Sequence, residues 1–182
     1  MAEVSPVMQA LYEGRRDEAE DLAREQELDV FEATALGRNE RLAALPRADP
    51  GLAHARSPDG FTALHYAAFF QAPEAARLLV AHGATVDAVA ENPMKVTPLH
   101  SAAAARQLEV ARLLLEHGAS PAAKQEGGFT ALHAAAQNGH QELVDVLLDH
   151  GADKLAESDE GKTAADFAAD AGRGELAARL RA

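Results

Sequence analysis

The chain has 182 residues, no cysteine and a formal net charge of −12, with 47% apolar but only 4% aromatic residues. The absence of cysteine excludes disulfides and thiolate metal or redox sites, and the negative charge makes nucleic acid and anionic membranes poor partners. No apolar run approaches the roughly 18 residues of a membrane span, and residues 1–26 lack the apolar core of a signal peptide, so we expect a cytoplasmic protein.

Two short helix pairs are predicted before residue 58. Apolar residues recur at helical spacing on both sides of Gly14, and again on both sides of Gly37. Each glycine suits the turn between two helices. The two glycines lie only 23 residues apart, so the connection between the pairs is shortened. We assign 5–27 and 28–57 to these two atypical units.

The next unit, 58–90, shows the full plan. Thr62 is a good N-cap residue, and a first helix is predicted from Ala63 to Phe70. A second helix is predicted from Glu74 to Ala81, and Gly83 after it suits the left-handed position that ends many helices. The extended segment that follows is expected to turn back as a finger before the next unit.

Three further units follow at 91–125, 126–158 and 159–182. The finger of the first is two residues longer, and Lys95 stands where the other fingers have glycine. A lysine is unfavourable at positive φ, so we expect this finger to depart from its neighbours' turn. Gln71 and Arg106 likewise replace the glycine between paired helices. The last unit ends soon after its second helix, and we expect it to cap the array.

One motif recurs at a fixed period. Successive threonines lie 35, 33 and 33 residues apart, and three of them begin the pattern Thr-x-Leu-His-x-Ala-Ala. Both 114–119 and 147–152 read Leu-Leu-x-His-Gly-Ala. The chain therefore resembles the ankyrin repeat family over 59–182 and, in a degenerate form, over 5–57. The resemblance implies one domain, 1–182: an all-α repeat solenoid of about six helix-turn-helix repeats with short β-hairpin fingers.

The resemblance also implies a binding surface. In this family partners bind the concave face, which consists of the finger tips and the outward side of each first helix. The matching positions predict these partner-binding residues: Asp59, Phe61, Tyr66, Phe69, Phe70, Met94, Lys95, Phe129, Gln137 and Asn138.

Phe69 and Phe70 are the sharpest local signal on this face. Adjacent helical side chains point about 100° apart, and Leu64, Ala67 and Ala68 already fill the inner face, so at least one phenylalanine should reach the surface. Two interpretations stay open, an exposed hot spot and packing against the longer finger or against Phe31.

The eight histidines do not indicate a catalytic or metal site. Six occupy repeat positions, and neighbouring repeats lie about 10 Å apart, too far to share a zinc ion. The resemblance implies that the histidine after each threonine bonds to the next repeat. The acidic segment 157–160 lacks the length and ligand order of a calcium loop. We therefore predict no catalytic residues, no metal and no cofactor.

These patterns favour a monomeric, non-enzymatic module that binds another protein, one with a basic surface, and binds neither nucleic acid nor membrane. Its most specific version is a regulatory subunit that masks an enzyme. Two alternatives remain at this stage. The array could self-associate through its Phe/Met patch, or an enzymatic or metal site could be hidden within it.

Overall fold

The computed structural model describes residues 4–48 and 50–182, so the first three residues of the expected domain lie outside it. Twelve α-helices in this part of the chain form six consecutive pairs, which confirms the predicted all-α repeat solenoid. The pairs are α1 Pro6–Tyr12 and α2 Arg16–Leu22; α3 Val30–Ala35 and α4 Asn39–Ala48; α5 Ala63–Phe69 and α6 Pro73–Ala81; α7 Pro98–Ala104 and α8 Leu108–Glu116; α9 Ala131–Gln137 and α10 Gln141–Asp149; α11 Ala164–Asp170 and α12 Gly174–Arg181. Two short 3-10 turns lie at Pro50–His54 and Glu126–Gly128.

The helices stack in two layers. The first helices of the six repeats contact one another in chain order, and the second helices α4, α6, α8 and α10 do the same. Leucines on the inner faces fill the space between the layers, and Leu64, Leu99 and Leu114 are at most 1% exposed. The core is thus one apolar band that runs along the array, as expected when each repeat covers its neighbour.

A histidine links each of the third, fourth and fifth repeats to the next. The threonine–histidine pairs form capping boxes, and the Nδ1 of His65 accepts the backbone N–H of Thr62 at 3.2 Å. Its Nε2 therefore carries the proton and donates to the carbonyl oxygen of Val96 at 3.0 Å. His100 and His133 repeat this arrangement at 3.1 and 3.2 Å. The predicted bond between repeats is confirmed, and Asp166 caps the last repeat in place of histidine.

The turn between paired helices keeps one geometry whatever residue occupies it. Gly14 and Gly37 have φ of 73° and 68°, and Gln71 and Arg106 both adopt φ of 60°. The packing of the two helices imposes this conformation, because a non-glycine residue would otherwise avoid it.

The fingers are hairpin loops rather than the predicted β-hairpins. Within the described residues the one bridge of β type joins Arg56 and Thr62. Each finger is closed by a backbone hydrogen bond, such as that from Ser57 N–H to the carbonyl of Phe61 at 2.8 Å. Neighbouring fingers are joined as well, since Glu91 N–H donates to the carbonyl of Gly60 at 2.9 Å. The finger row is therefore continuous along the array although none of the described residues forms a strand.

The longer finger contradicts the expectation for Lys95. Lys95 adopts φ of 50°, the same left-handed region as the glycines of the other finger tips. The finger is held from both sides, because Asn92 donates to the carbonyl of Asp59 at 3.0 Å and Glu126 N–H donates to that of Met94 at 3.0 Å. These tethers impose the turn, so the prediction of a different turn was wrong.

Candidate protein-binding surface

The exposed side of the first helices and the finger tips form one surface, here called the finger face. It carries Asp59, Phe69, Met94, Lys95 and Gln137, all at least partly exposed. It contains an apolar cleft of about 190 Å³, here called the aromatic cleft. Its lining consists of Tyr12, Phe61, His65, Tyr66, Phe69, Phe70, Met94 and Ser101.

Three large apolar side chains at the cleft remain open to solvent. Tyr12 is 43% exposed, Phe69 47% and Met94 51%. Phe70 is half-buried, and its ring lies 6.2 Å from that of Tyr66 in a stacked arrangement and 5.9 Å from that of Tyr12. The two phenylalanines thus differ in exposure, and the role of Phe69 as a hot spot stays a prediction. Phe69 is exposed, whereas Phe70 packs, though on the tyrosines rather than on the longer finger.

The prediction that Tyr66 lies exposed on the binding surface was wrong. We expected an exposed aromatic residue, but its side chain is only 4% exposed. The residue after the histidine faces the preceding repeat, so the Tyr66 ring packs 5.7 Å from that of Phe31 and 5.9 Å from that of Phe61. Tyr66 therefore forms the floor of the cleft.

Asp59 is held by three hydroxyl groups. Its carboxylate accepts hydrogen bonds from Ser57, from Tyr12 and, at 2.6 Å, from Tyr66. Burial alone would raise the pKa of Asp59, yet these hydroxyl donors outweigh it and hold that pKa below its ordinary value. The carboxylate is therefore ionised at neutral pH. Burial, followed by the bond to Asp59, raises the pKa of both tyrosines, which remain protonated donors.

Tyr12 is a cleft residue that the sequence reasoning missed. It lies two residues before the left-handed turn residue Gly14, the same position that Phe69 holds relative to Gln71. Aligning the units on their turn residues would have placed Tyr12 on the finger face. Its contact with Asp59 could not have been found in this way, because 47 residues separate them.

The other predicted residues divide into two groups. Phe61 is half-buried in the cleft wall, 5.5 Å from the ring of His65. Phe129, Gln137 and Asn138 belong to the fifth repeat and do not line the cleft. Phe129 packs 5.0 Å from Phe167, Gln137 is exposed, and Asn138 donates to the carbonyl of Ala104 at 3.1 Å. Phe129 and Asn138 thus have structural partners of their own.

Part of the charge on the finger face is paired. Three finger-tip carboxylates lie near cations: Glu91 at 2.9 Å from Arg56, Glu126 at 3.8 Å from Lys95, and Glu160 at 3.9 Å from Lys162. These pairs are exposed and contribute little to stability. They do reduce the negative potential that the finger tips would otherwise present.

No other chemical site is evident in the described residues. Across 4–48 and 50–182, no three His, Asp or Glu side chains are placed to hold a metal ion together. In the same ranges no helix has the length and apolar character needed to cross a membrane.

Comparison with protein-family models agrees with the geometry. A model described as ankyrin repeats in three copies matches residues 8–125, and one described as ankyrin repeats in many copies matches residues 114–168. A search of curated proteins found no match. The recurring helix pairs, the threonine–histidine caps and these matches lead to one conclusion: the chain belongs to the ankyrin repeat family.

Proposed function

We propose that this protein binds a partner protein through the finger face, with the aromatic cleft and the longer finger, 91–95, at its centre. Ankyrin repeats are generally protein–protein interaction modules. The observation that supports the cleft as the docking point is the exposure of Phe69 and Met94 beside it, at 47% and 51%. Exposed aromatic side chains beside a concave apolar site are typical of binding hot spots.

The size and character of the cleft suit a partner's side chain. At about 190 Å³ it is smaller than the roughly 300–1,000 Å³ of small-molecule pockets. A side chain that enters it would displace water from apolar walls while its neighbours contact the surrounding finger tips. The array then acts as a rigid scaffold around one anchor point.

Charge supports a basic partner surface. With a net charge of −12, the chain should attract such a surface at long range, and salt should slow their association. We further propose that the six repeats, with the boundaries given above, act as one non-enzymatic cytoplasmic unit, and that binding regulates the partner by masking it.

The test is capture of partners from a cell lysate with matched variants. Phe69→Ala and Met94→Ala remove the exposed cleft walls and should reduce capture, while helicity and thermal stability remain close to wild type. Leu155→Ala is the control, because Leu155 is 69% exposed and does not line the cleft. Equal capture by all variants would refute the cleft as the docking point.

Self-association is the second candidate, since the same exposed apolar side chains could dock on a second copy. Sedimentation velocity at several concentrations separates the two functions. We expect a concentration-independent monomer. A dimer that Phe69→Ala dissociates would favour self-association instead.

A further inference from the structure

Asp59 differs from the finger-tip carboxylates that have cationic partners. Glu91, Glu126 and Glu160 each lie near an arginine or lysine of the array. Within the part of the chain that the structure describes, Asp59 has none. Its side-chain partners are hydroxyl groups, which solvate the carboxylate but leave its negative charge uncompensated.

The carboxylate also has hydrogen-bonding capacity left. The carboxylate Oδ1 accepts the hydroxyls of Ser57 and Tyr66, whereas among the described residues the hydroxyl of Tyr12 is the one side-chain donor to Oδ2. Asp59 is partly exposed on the finger face. Both tyrosines that bond to it contribute their rings to the aromatic cleft. Asp59 is not itself a lining residue, but its carboxylate is bonded directly to these two lining tyrosines.

The walls of the cleft are suited to a cation. The rings of Tyr12, Tyr66 and Phe70 lie 5.9–6.5 Å from one another, and Phe69 meets Phe70 edge-on at 5.2 Å. Aromatic faces attract a cation that lies within about 6 Å of the ring centroid. His65 does not oppose this attraction, because its Nδ1 accepts a backbone N–H and the ring is neutral.

We propose that the partner inserts an arginine side chain into the aromatic cleft, with its guanidinium group over the tyrosine and phenylalanine rings and hydrogen-bonded to Asp59. Its aliphatic stem would lie against Met94. This inference rests on the proposed function and adds the chemistry of the anchor residue.

Two alternatives for the anchor fit less well. An apolar anchor would cover Asp59 and remove water from a charge without supplying a counter-charge, which is costly. A lysine would supply the charge, but its ammonium group is compact and strongly hydrated. A guanidinium group is planar, more weakly hydrated and stacks on aromatic faces, so arginine matches both the rings and the carboxylate.

The test uses Nα-acetylarginine amide as probe, titrated into the ¹⁵N-labelled protein and followed by amide chemical shifts. A single side chain should bind in the millimolar range, so the titration extends to about 20 mM. We expect saturable shifts in Tyr12, Asp59, Phe69 and Phe70. Nα-acetylnorleucine amide, a neutral probe with a similar stem, should give none in that range.

Three variants identify the source of binding. Asp59→Asn removes the charge, and we expect about tenfold weaker binding, the change that 1.4 kcal/mol produces. Phe69→Leu keeps an apolar surface but removes a π face, so it should also weaken arginine binding while the fold is intact. Glu160→Gln is the control, because Glu160 is the finger-tip residue equivalent to Asp59 and does not line the cleft.

The outcomes are decisive. Absence of saturable shifts with the arginine probe, equal shifts with norleucine, or unchanged binding in both Asp59→Asn and Phe69→Leu would each overturn the inference. Failure of the arginine inference can be distinguished from failure of the proposed function. If Phe69→Ala lowers partner capture while the arginine probe does not bind, the cleft is a docking point for an apolar anchor.

Discussion

Acidification should destabilise the array through its three buried histidines, His65, His100 and His133. The Nδ1 of each ring accepts the backbone N–H of the capping threonine, and Nε2 donates to a carbonyl of the next repeat. The first of these bonds requires the neutral ring, because a proton on Nδ1 would abolish the acceptor, whereas Nε2 is a donor in either form. Burial lowers the pKa of His65 to about 4, and it lowers the pKa of His100 and of His133 as well.

The sign of the effect follows from proton linkage. The pKa of His65 in the folded chain lies below the unfolded value of 6.5, so the unfolded chain binds this proton first as the pH falls. The contribution of the neutral ring is complete above pH 6.5 and is lost as the pH falls toward 4. One pKa unit corresponds to about 1.4 kcal/mol. His65 alone should therefore remove about 2 kcal/mol of unfolding free energy by about pH 5, and about 3 kcal/mol by about pH 4.

The assay is urea unfolding followed by circular dichroism between about pH 5 and 7, above the range in which ordinary carboxylates titrate. His65→Gln is the informative variant, because glutamine can complete a capping box but does not titrate. Its unfolding free energy should depend less steeply on pH than that of wild type. His82→Gln, at an exposed position, is the control and should keep the wild-type slope. Equal slopes for His65→Gln and wild type would refute the reasoning.

Three further predictions concern the scaffold. Leu114 is fully buried, so Leu114→Ala should cost about 2–5 kcal/mol of unfolding free energy, measured by urea denaturation. A Cβ on Gly60 would lie 2.5 Å from the carbonyl oxygen of Glu91, so Gly60→Ala should cost about 1–3 kcal/mol more than Gly14→Ala, where no atom lies within 4 Å. Arg106→Gly should raise the unfolding free energy by up to about 1 kcal/mol. The substitution removes an arginine from the left-handed region, and this gain exceeds the added conformational entropy of the unfolded chain.

Each of these predictions has an outcome that contradicts it. A melting temperature for Leu114→Ala no lower than that of the exposed control Leu155→Ala would show that the assigned core register is wrong. Equal losses for the two glycine variants would mean that the neighbouring finger moves away without cost. A clear loss of stability in Arg106→Gly would show that the arginine side chain makes stabilising contacts that outweigh its backbone strain.

The scaffold was predictable from the sequence because its interactions repeat. Each threonine–histidine cap bonds to the same carbonyl position of the next repeat, so one motif read several times gives the period and the helix pairs. Lys95 was mispredicted for a related reason. Its intrinsic preference argues against positive φ, but the tethers of the finger to both neighbouring fingers outweigh that preference.

The cleft was only partly predictable, because it depends on contacts between different repeats. Phe69 and Met94 are exposed as their positions suggested. The burial of Tyr66 requires Phe31 of the preceding repeat as a packing partner, and the role of Tyr12 requires a contact with the third repeat. Periodicity within one repeat carries no information about either contact.

The irregular start of the array explains why the cleft forms where it does. From the third repeat onward, each finger tip accepts a backbone hydrogen bond from the next finger, as Gly60 does from Glu91. The finger that holds Asp59 is the first in the row, because the connection before it is shortened and supplies no finger of its own. Its other side is therefore uncovered, and Tyr12 reaches across the second repeat to bond with Asp59. A regular finger at that place would fill the space now lined by Tyr12 and Phe70. The repeat motif is thus weakened before residue 58 by a loss of regularity. The same irregularity brings a carboxylate without a cationic partner next to a set of aromatic rings.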